Sequence, residues 1–180
     1  MAVLAPVRAF ALEVRIKGVG EASQIVQATI EIVDVIPDRF KKVLDENGAV
    51  HLRLQAELWE SRPVWDRLVY PAILKAVRIT RDRIPPTPWP LTLDLGKTDR
   101  ISTAGKYYVH VVATIGTLAE RDADEVGDAV FGRESETNSL GSLGRLVFRT
   151  ALEVSDYLQS VSAEARTKKI AGSDLLRRAP

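Results

Sequence analysis

From residue 12 onward the apolar positions recur mostly at every second residue, the period of a strand with one buried and one wet face. Leu12, Val14 and Ile16 alternate with Glu13, Arg15 and Lys17, and Val26, Ala28, Ile30 and Ile32 with Gln27, Thr29 and Glu31. The longest clean run sets Val50, Leu52, Leu54, Ala56 and Leu58 against His51, Arg53, Gln55 and Glu57. Ile73, Val77 and Ile79 indicate a fourth strand, Leu91, Leu93 and Leu95 a fifth, and Tyr107, Val109, Val111, Ala113 and Ile115 a long sixth. The glycine-dotted GVGEAS at 18–23 reads as the turn between the first two. Every such strand has an apolar face to hide, so the pattern predicts a mainly β fold, an antiparallel β-sandwich.

Two segments change period. PDRFKKVLDENG, residues 37–48, opens on Pro37, places Phe40, Val43 and Leu44 on one side and closes on Gly48, the start and stop signals of a short helix. Between Ser142 and about Lys168, a stripe of Leu143, Leu146, Val147, Thr150, Ala151, Val154, Leu158 and Val161 at helical spacing predicts a long C-terminal amphipathic helix. The polar residues before it read as a long loop. The domain organisation that follows is an N-terminal arm over 1–11, a single domain over 12–165 that carries the long helix, and a flexible basic tail over 166–180. Ala9-Phe10-Ala11 has the small-x-small form that precedes a signal-peptidase cut, so a signal remnant is the alternative for the arm. Eleven residues broken by Pro6 and Arg8 fall short of the usual ~15–30 residue signal, which favours the arm.

Composition narrows the function classes. The 25 Lys and Arg balance 24 Asp and Glu for a net charge of +1, so no global field draws in nucleic acid or an anionic membrane, and any basic patch is local. No nucleic-acid partner is expected. Cysteine is absent, which removes thiol catalysis, thiolate metal sites and disulfides. No apolar run approaches the ~20 residues of a membrane-spanning helix, so the chain reads as soluble or peripheral, with cytoplasm and periplasm both open.

The search for chemistry returns little. His51 and His110 fall on the polar sides of their strands without a metal-binding or general-base motif, and read as exposed strand histidines. The GxG at 18–20 lacks the third glycine and the helix of a phosphate cradle. Residues 122–134 miss a calcium loop at Val126 and Arg133. LGSLG at 140–144 spaces its glycines wrongly for a nucleophile elbow. No cofactor and no metal are expected, and the chain reads as a non-enzyme.

One stretch stands apart: ELWESRPVWDRLVYP, residues 57–71, places two tryptophans, a tyrosine and five charged side chains where a strand ends. Tryptophan, tyrosine and arginine are the residue types that dominate interface hot spots. Trp59, Arg62, Trp65, Arg67 and Tyr70 are therefore the candidate partner-binding residues. Trp59 continues the outward register of His51 through Glu57 and is expected on the polar face, exposed unless something covers it. Trp65 is equally suited to docking and to closing a corner. Glu57, Glu60 and Asp66 beside the tryptophans allow an alternative as paired carboxylates under a stacked sugar, against which ion pairing with Arg62 and Arg67 is the simpler reading.

Three segments also carry a resemblance: VLDENGAVHLRLQAELWESRPVWDRLV at 43–69, KYYVHVVATIGTLAERDADEVGDAVFG at 106–132 and SLGSLGRLVFRTALEVSDYLQSVSAE at 139–164. In these the chain resembles a bacterial family of uncharacterised β-rich proteins, a domain of unknown function often found with an export signal. The resemblance implies a β-sandwich at a membrane surface and supplies no catalytic residues. The expectation is a non-enzymatic binding or structural module, an extrinsic accessory subunit of a larger protein complex, soluble or membrane-bound, whose partners are other subunits. A small-ligand or carbohydrate-binding sandwich is the alternative, and a carboxylate-dependent hydrolase a remoter one.

Overall fold

A computed structural model describes residues 12–117 and 160–177. They form a mainly β protein of two antiparallel sheets. The first sheet is β1 (Glu13–Ala22), β2 (Ile25–Val33) and β6 (Trp89–Lys97), with β2 in the middle. The second is built on β3 (Ala49–Glu60) and β7 (Lys106–Gly116), paired over their length from His51↔Gly116 to Glu60↔Tyr107. The far edge of β3 is lined first by β5 (Ile73–Thr80) and then by the two-residue β4 (Arg67–Leu68), while β8 (Ser160–Arg166) and β9 (Ile170–Ala171) flank β7.

All six strands expected from the alternating pattern are present, and their apolar faces meet. Val26, Ile30, Ile32, Leu93 and Leu95 from the first sheet and Leu52, Leu54, Leu58, Val109, Val111 and Ile115 from the second belong to one buried core. Removing each of these side chains from water contributes about 1.5–3 kcal/mol. GVGEAS is a correction. Gly18 to Ala22 continue β1 past a register shift between Ile16 and Gly18, and the turn is the two residues Ser23 and Gln24, both at positive φ. That is the backbone twist a two-residue hairpin demands.

The short helix forms where expected, as α1 (Asp38–Asp45), and Phe40 and Leu44 enter the core. Its end follows from backbone hydrogen bonding: Asn47 takes positive φ and donates to the Leu44 carbonyl, and Gly48 donates to the Val43 carbonyl at 2.8 Å. A Cβ at Gly48 would lie 2.7 Å from that same oxygen, so glycine is required for the close approach.

The C-terminal part departs from expectation. Residues 160–166, which the helical stripe had included through Val161, are strand β8, pairing with β7 from Gly116↔Ser160 to His110↔Arg166. Pairing with β7 supplies every second backbone group a partner, and the local alternation of Val161, Ala163 and Ala165 against Ser162, Glu164 and Arg166 suits that pairing. The expected helix over 142–159 lies outside the described residues, as do the loop from 118, the arm over 1–11 and residues 178–180. The tail expected from 166 is folded where it is described: β9 pairs with the start of β7, and a short α2 (Gly172–Leu175) buries Leu175 completely in the core. Basic composition hid one apolar anchor.

Candidate functional site

β3 ends at Glu60, and the chain turns through residues 61–66 before Arg67 pairs back onto Glu60. This corner contains all five candidate residues, and the structure gives them three different environments.

Trp59 keeps the outward register, on the face of β3 opposite the core, yet it is only 8% exposed. Its cover comes from the neighbouring strand. Tyr108, its direct partner across β3 and β7, lies parallel to it with ring centroids 6.3 Å apart, and the Arg166 guanidinium caps the Tyr108 ring at 3.6 Å. The indole Nε1–H donates to Glu57 Oε2 at 2.8 Å. The expected exposed anchor is thus a buried one. Register gives direction, and only the partner strand decides what lies above it.

Trp65 is the converse, 81% exposed beside Val64 at 78%, at the tip of the turn. The turn is held firmly beneath it. Asp66 accepts from the Arg62 backbone N–H at 3.2 Å and from the Tyr108 hydroxyl at 2.9 Å, and Arg62 and Arg67 both donate to Glu60 Oε2 at 2.9 Å. The Tyr108 hydroxyl first, opposed by burial and then aided by the Arg62 amide, Ser61 and the charge of Lys169, holds the Asp66 carboxyl below its ordinary range. Arg62 and Arg67 are therefore structural clamps as well as surface cations.

Tyr70 is half-buried. Its hydroxyl donates to the Lys97 carbonyl at 2.7 Å and contacts Asp99, and Arg100 lies over its ring at 5.0 Å. Burial first, and then Asp99, push the phenol above its ordinary value. The ring lies against Gly96, whose φ of +142° and lack of a side chain leave it room: a Cβ there would stand 2.3 Å from the Tyr70 ring. Tyr70 joins the corner to the first sheet and offers little free surface.

Behind Trp59 is a cluster that the sequence did not disclose. Glu57, 9% exposed, accepts from Gln55 Nε2 at 2.7 Å through one oxygen and from Trp59 through the other. His110, 6% exposed, places Nδ1 3.5 Å from that second oxygen and Nε2 3.4 Å from Glu164. Burial pushes the Glu57 carboxyl up, but the hydrogen bonds from His110, Trp59 and Gln55 together outweigh it and leave the group below its ordinary range. The reading of His110 as an exposed strand histidine is corrected, and His51 is half-buried. The available signal was Tyr108: a large ring on the polar side of a strand marks an outer face with something to cover.

Chemically the corner is a scaffold with one free tip. Glu57, Glu60 and Asp66, the possible acid and base of a hydrolase, are each engaged by protein donors. Among the described residues no group of three or more His, Asp or Glu is placed to hold a metal ion, and no buried side-chain polar atom lacks a hydrogen-bond partner. Comparison with protein-family models, with curated proteins and with solved structures finds no match to this chain.

Proposed function

We propose that this chain is a non-enzymatic binding and structural module, an extrinsic accessory subunit of a larger protein complex, with its two sheets stacked as a sandwich and the 61–66 turn as its docking surface. The observation that carries this is the 81% exposure of Trp65 on a turn tied down at its two ends through Glu60 and Asp66. A large rigid side chain held in the open loses little conformational entropy on docking and buries much area. Trp59 braces the turn from below through Tyr108 and Asp66, Tyr70 ties the chain after it to the first sheet, and Arg62 and Arg67 frame the turn. The engaged carboxylates favour binding over hydrolysis, since a general acid or base must be within reach of substrate. Among the described residues no helix is long and apolar enough to cross a membrane, which accords with an extrinsic position.

The test is co-purification from the native organism at low salt. Trp65→Ala is expected to lose a stoichiometric partner at unchanged melting temperature, at a cost of ~2 kcal/mol or more of binding. A variant that still co-purifies normally refutes the docking role.

A further inference from the structure

The chain as a whole carries a net charge of +1, yet its cations are unevenly placed. β3 ends, β7 begins and β8 ends at the same edge of the second sheet, as the pairs Glu60↔Tyr107, His110↔Arg166 and Lys106↔Ala171 establish. Two turns therefore lie side by side there, 61–66 after β3 and 167–169 between β8 and β9. The second is tied down by Thr167, whose backbone N–H donates to the Val109 carbonyl at 2.9 Å and whose hydroxyl accepts from the Val109 N–H at 3.0 Å.

Arg62, Arg67 and Arg166 are exposed at this end, and so are Lys106, Lys168 and Lys169. Against these six cations stand four carboxylates: Glu60, shared by Arg62 and Arg67; Asp66, 3.9 Å from Arg166; and Glu57 and Glu164, both against His110, the cross-strand partner of Arg166. The surplus is two positive charges on a chain whose total is +1. The three lysines have no ion-pair partner among the described residues, and Lys169 is near enough for its charge to act on Asp66. Out of this basic ground rise Val64 and Trp65, almost fully exposed.

We propose that this end of the second sheet docks on an anionic membrane surface, with Val64 and Trp65 inserted at the headgroup boundary and the lysines lying against lipid phosphates. The inference rests on the docking role of the 61–66 turn and goes beyond it: at this end of the sheet the extrinsic subunit meets a lipid leaflet as well as its protein partner. Charge complementarity carries the choice of lipid. Anionic leaflets attract cation clusters within a Debye length, and tryptophan partitions to the boundary between headgroup and acyl chain. Single-stranded nucleic acid fits less well, because its binders stack successive bases on several aromatic rings. Here one exposed ring stands beside an aliphatic valine that offers no stacking face.

The experiment is flotation of the purified full chain with vesicles of equal parts phosphatidylcholine and phosphatidylglycerol, against phosphatidylcholine alone. The chain is expected to float with the anionic vesicles only, and Trp65→Ala to weaken that binding. Lys168→Gln with Lys169→Gln should weaken it about fivefold per lysine, whereas Lys41→Gln with Lys42→Gln, on the exposed side of α1, should leave it unchanged. No flotation with anionic vesicles overturns the proposal, as does equal weakening by both lysine pairs or tighter binding to a single-stranded oligonucleotide than to vesicles. A chain that ignores vesicles yet loses a protein partner on Trp65→Ala overturns the membrane assignment and leaves the docking role standing. A Trp65→Ala variant that changes neither binding overturns both.

Discussion

Trp59 and Tyr108 lie opposite each other across β3 and β7, their ring planes 7° apart and their centroids separated by 6.3 Å, on the face turned away from the core. This pair gives the outer face of the second sheet a buried patch of its own. The next tryptophan along the chain, Trp65, is left in the open.

The two tryptophans should accordingly part under mutation. Trp59→Ala removes a buried ring together with the donor to Glu57 and is expected to cost ~3–5 kcal/mol of stability in a urea titration. Trp65→Ala, on an exposed tip, should stay within ~0.5 kcal/mol of the parent. Comparable losses for both would mean that Trp65 is packed.

Acid stability should depend on Glu57 and Asp66. Both carboxyls are held below their ordinary values in the fold, so the unfolded chain takes up protons more readily than the native one. The stabilisation they provide is complete above the unfolded carboxylate pKa of ~4 and is lost as pH falls through the lower folded values. Glu57→Gln should flatten this acid limb when the melting temperature is followed from neutral to acid pH. An acid limb as steep as that of the parent would assign the effect to other groups.

Gly96 is the most constrained glycine of the corner. Gly96→Ala has to place a methyl group into the Tyr70 ring at a φ that L residues rarely adopt, and should cost roughly 1–3 kcal/mol for the backbone alone. Combining it with Tyr70→Ala should recover the steric part only. Thermal melts of the single and double variants separate the two contributions, and a Gly96→Ala chain as stable as the parent would contradict the observed φ.

The C-terminal anchor is tested by Leu175→Ala. A fully buried leucine on α2 leaves a cavity when truncated, for an expected loss of ~2–5 kcal/mol by denaturant unfolding. Were residues 166–177 a free tail, the same substitution would have no effect.

How far the site was legible follows from individual residues. The clustering of Trp59, Arg62, Trp65, Arg67 and Tyr70 within one corner was readable, because they are close in sequence and a strand had to end there. Their separate roles were not. Trp59 is covered by Tyr108 from a strand some fifty residues later, and Tyr70 is fixed by Lys97 and Asp99. Glu57 and His110 meet only through the β3–β7 register, so neither showed any local motif.

The sequence by itself determined six of the strands and the short helix, since a period of two and a helix with a proline before it and a glycine after it are properties of neighbouring residues. It also determined which face of each strand is apolar. Tertiary structure alone decided what covers the other face, and whether residues 160–177 are helix, strand or tail. A backbone hydrogen-bonding edge such as that of β7 recruits Ser160–Arg166 and Ile170–Ala171 from far along the chain, and a core with room recruits Leu175. Those gains come from contacts between distant segments; the short alternation of Val161, Ala163 and Ala165 permits a strand but does not by itself decide against the helical stripe that precedes it.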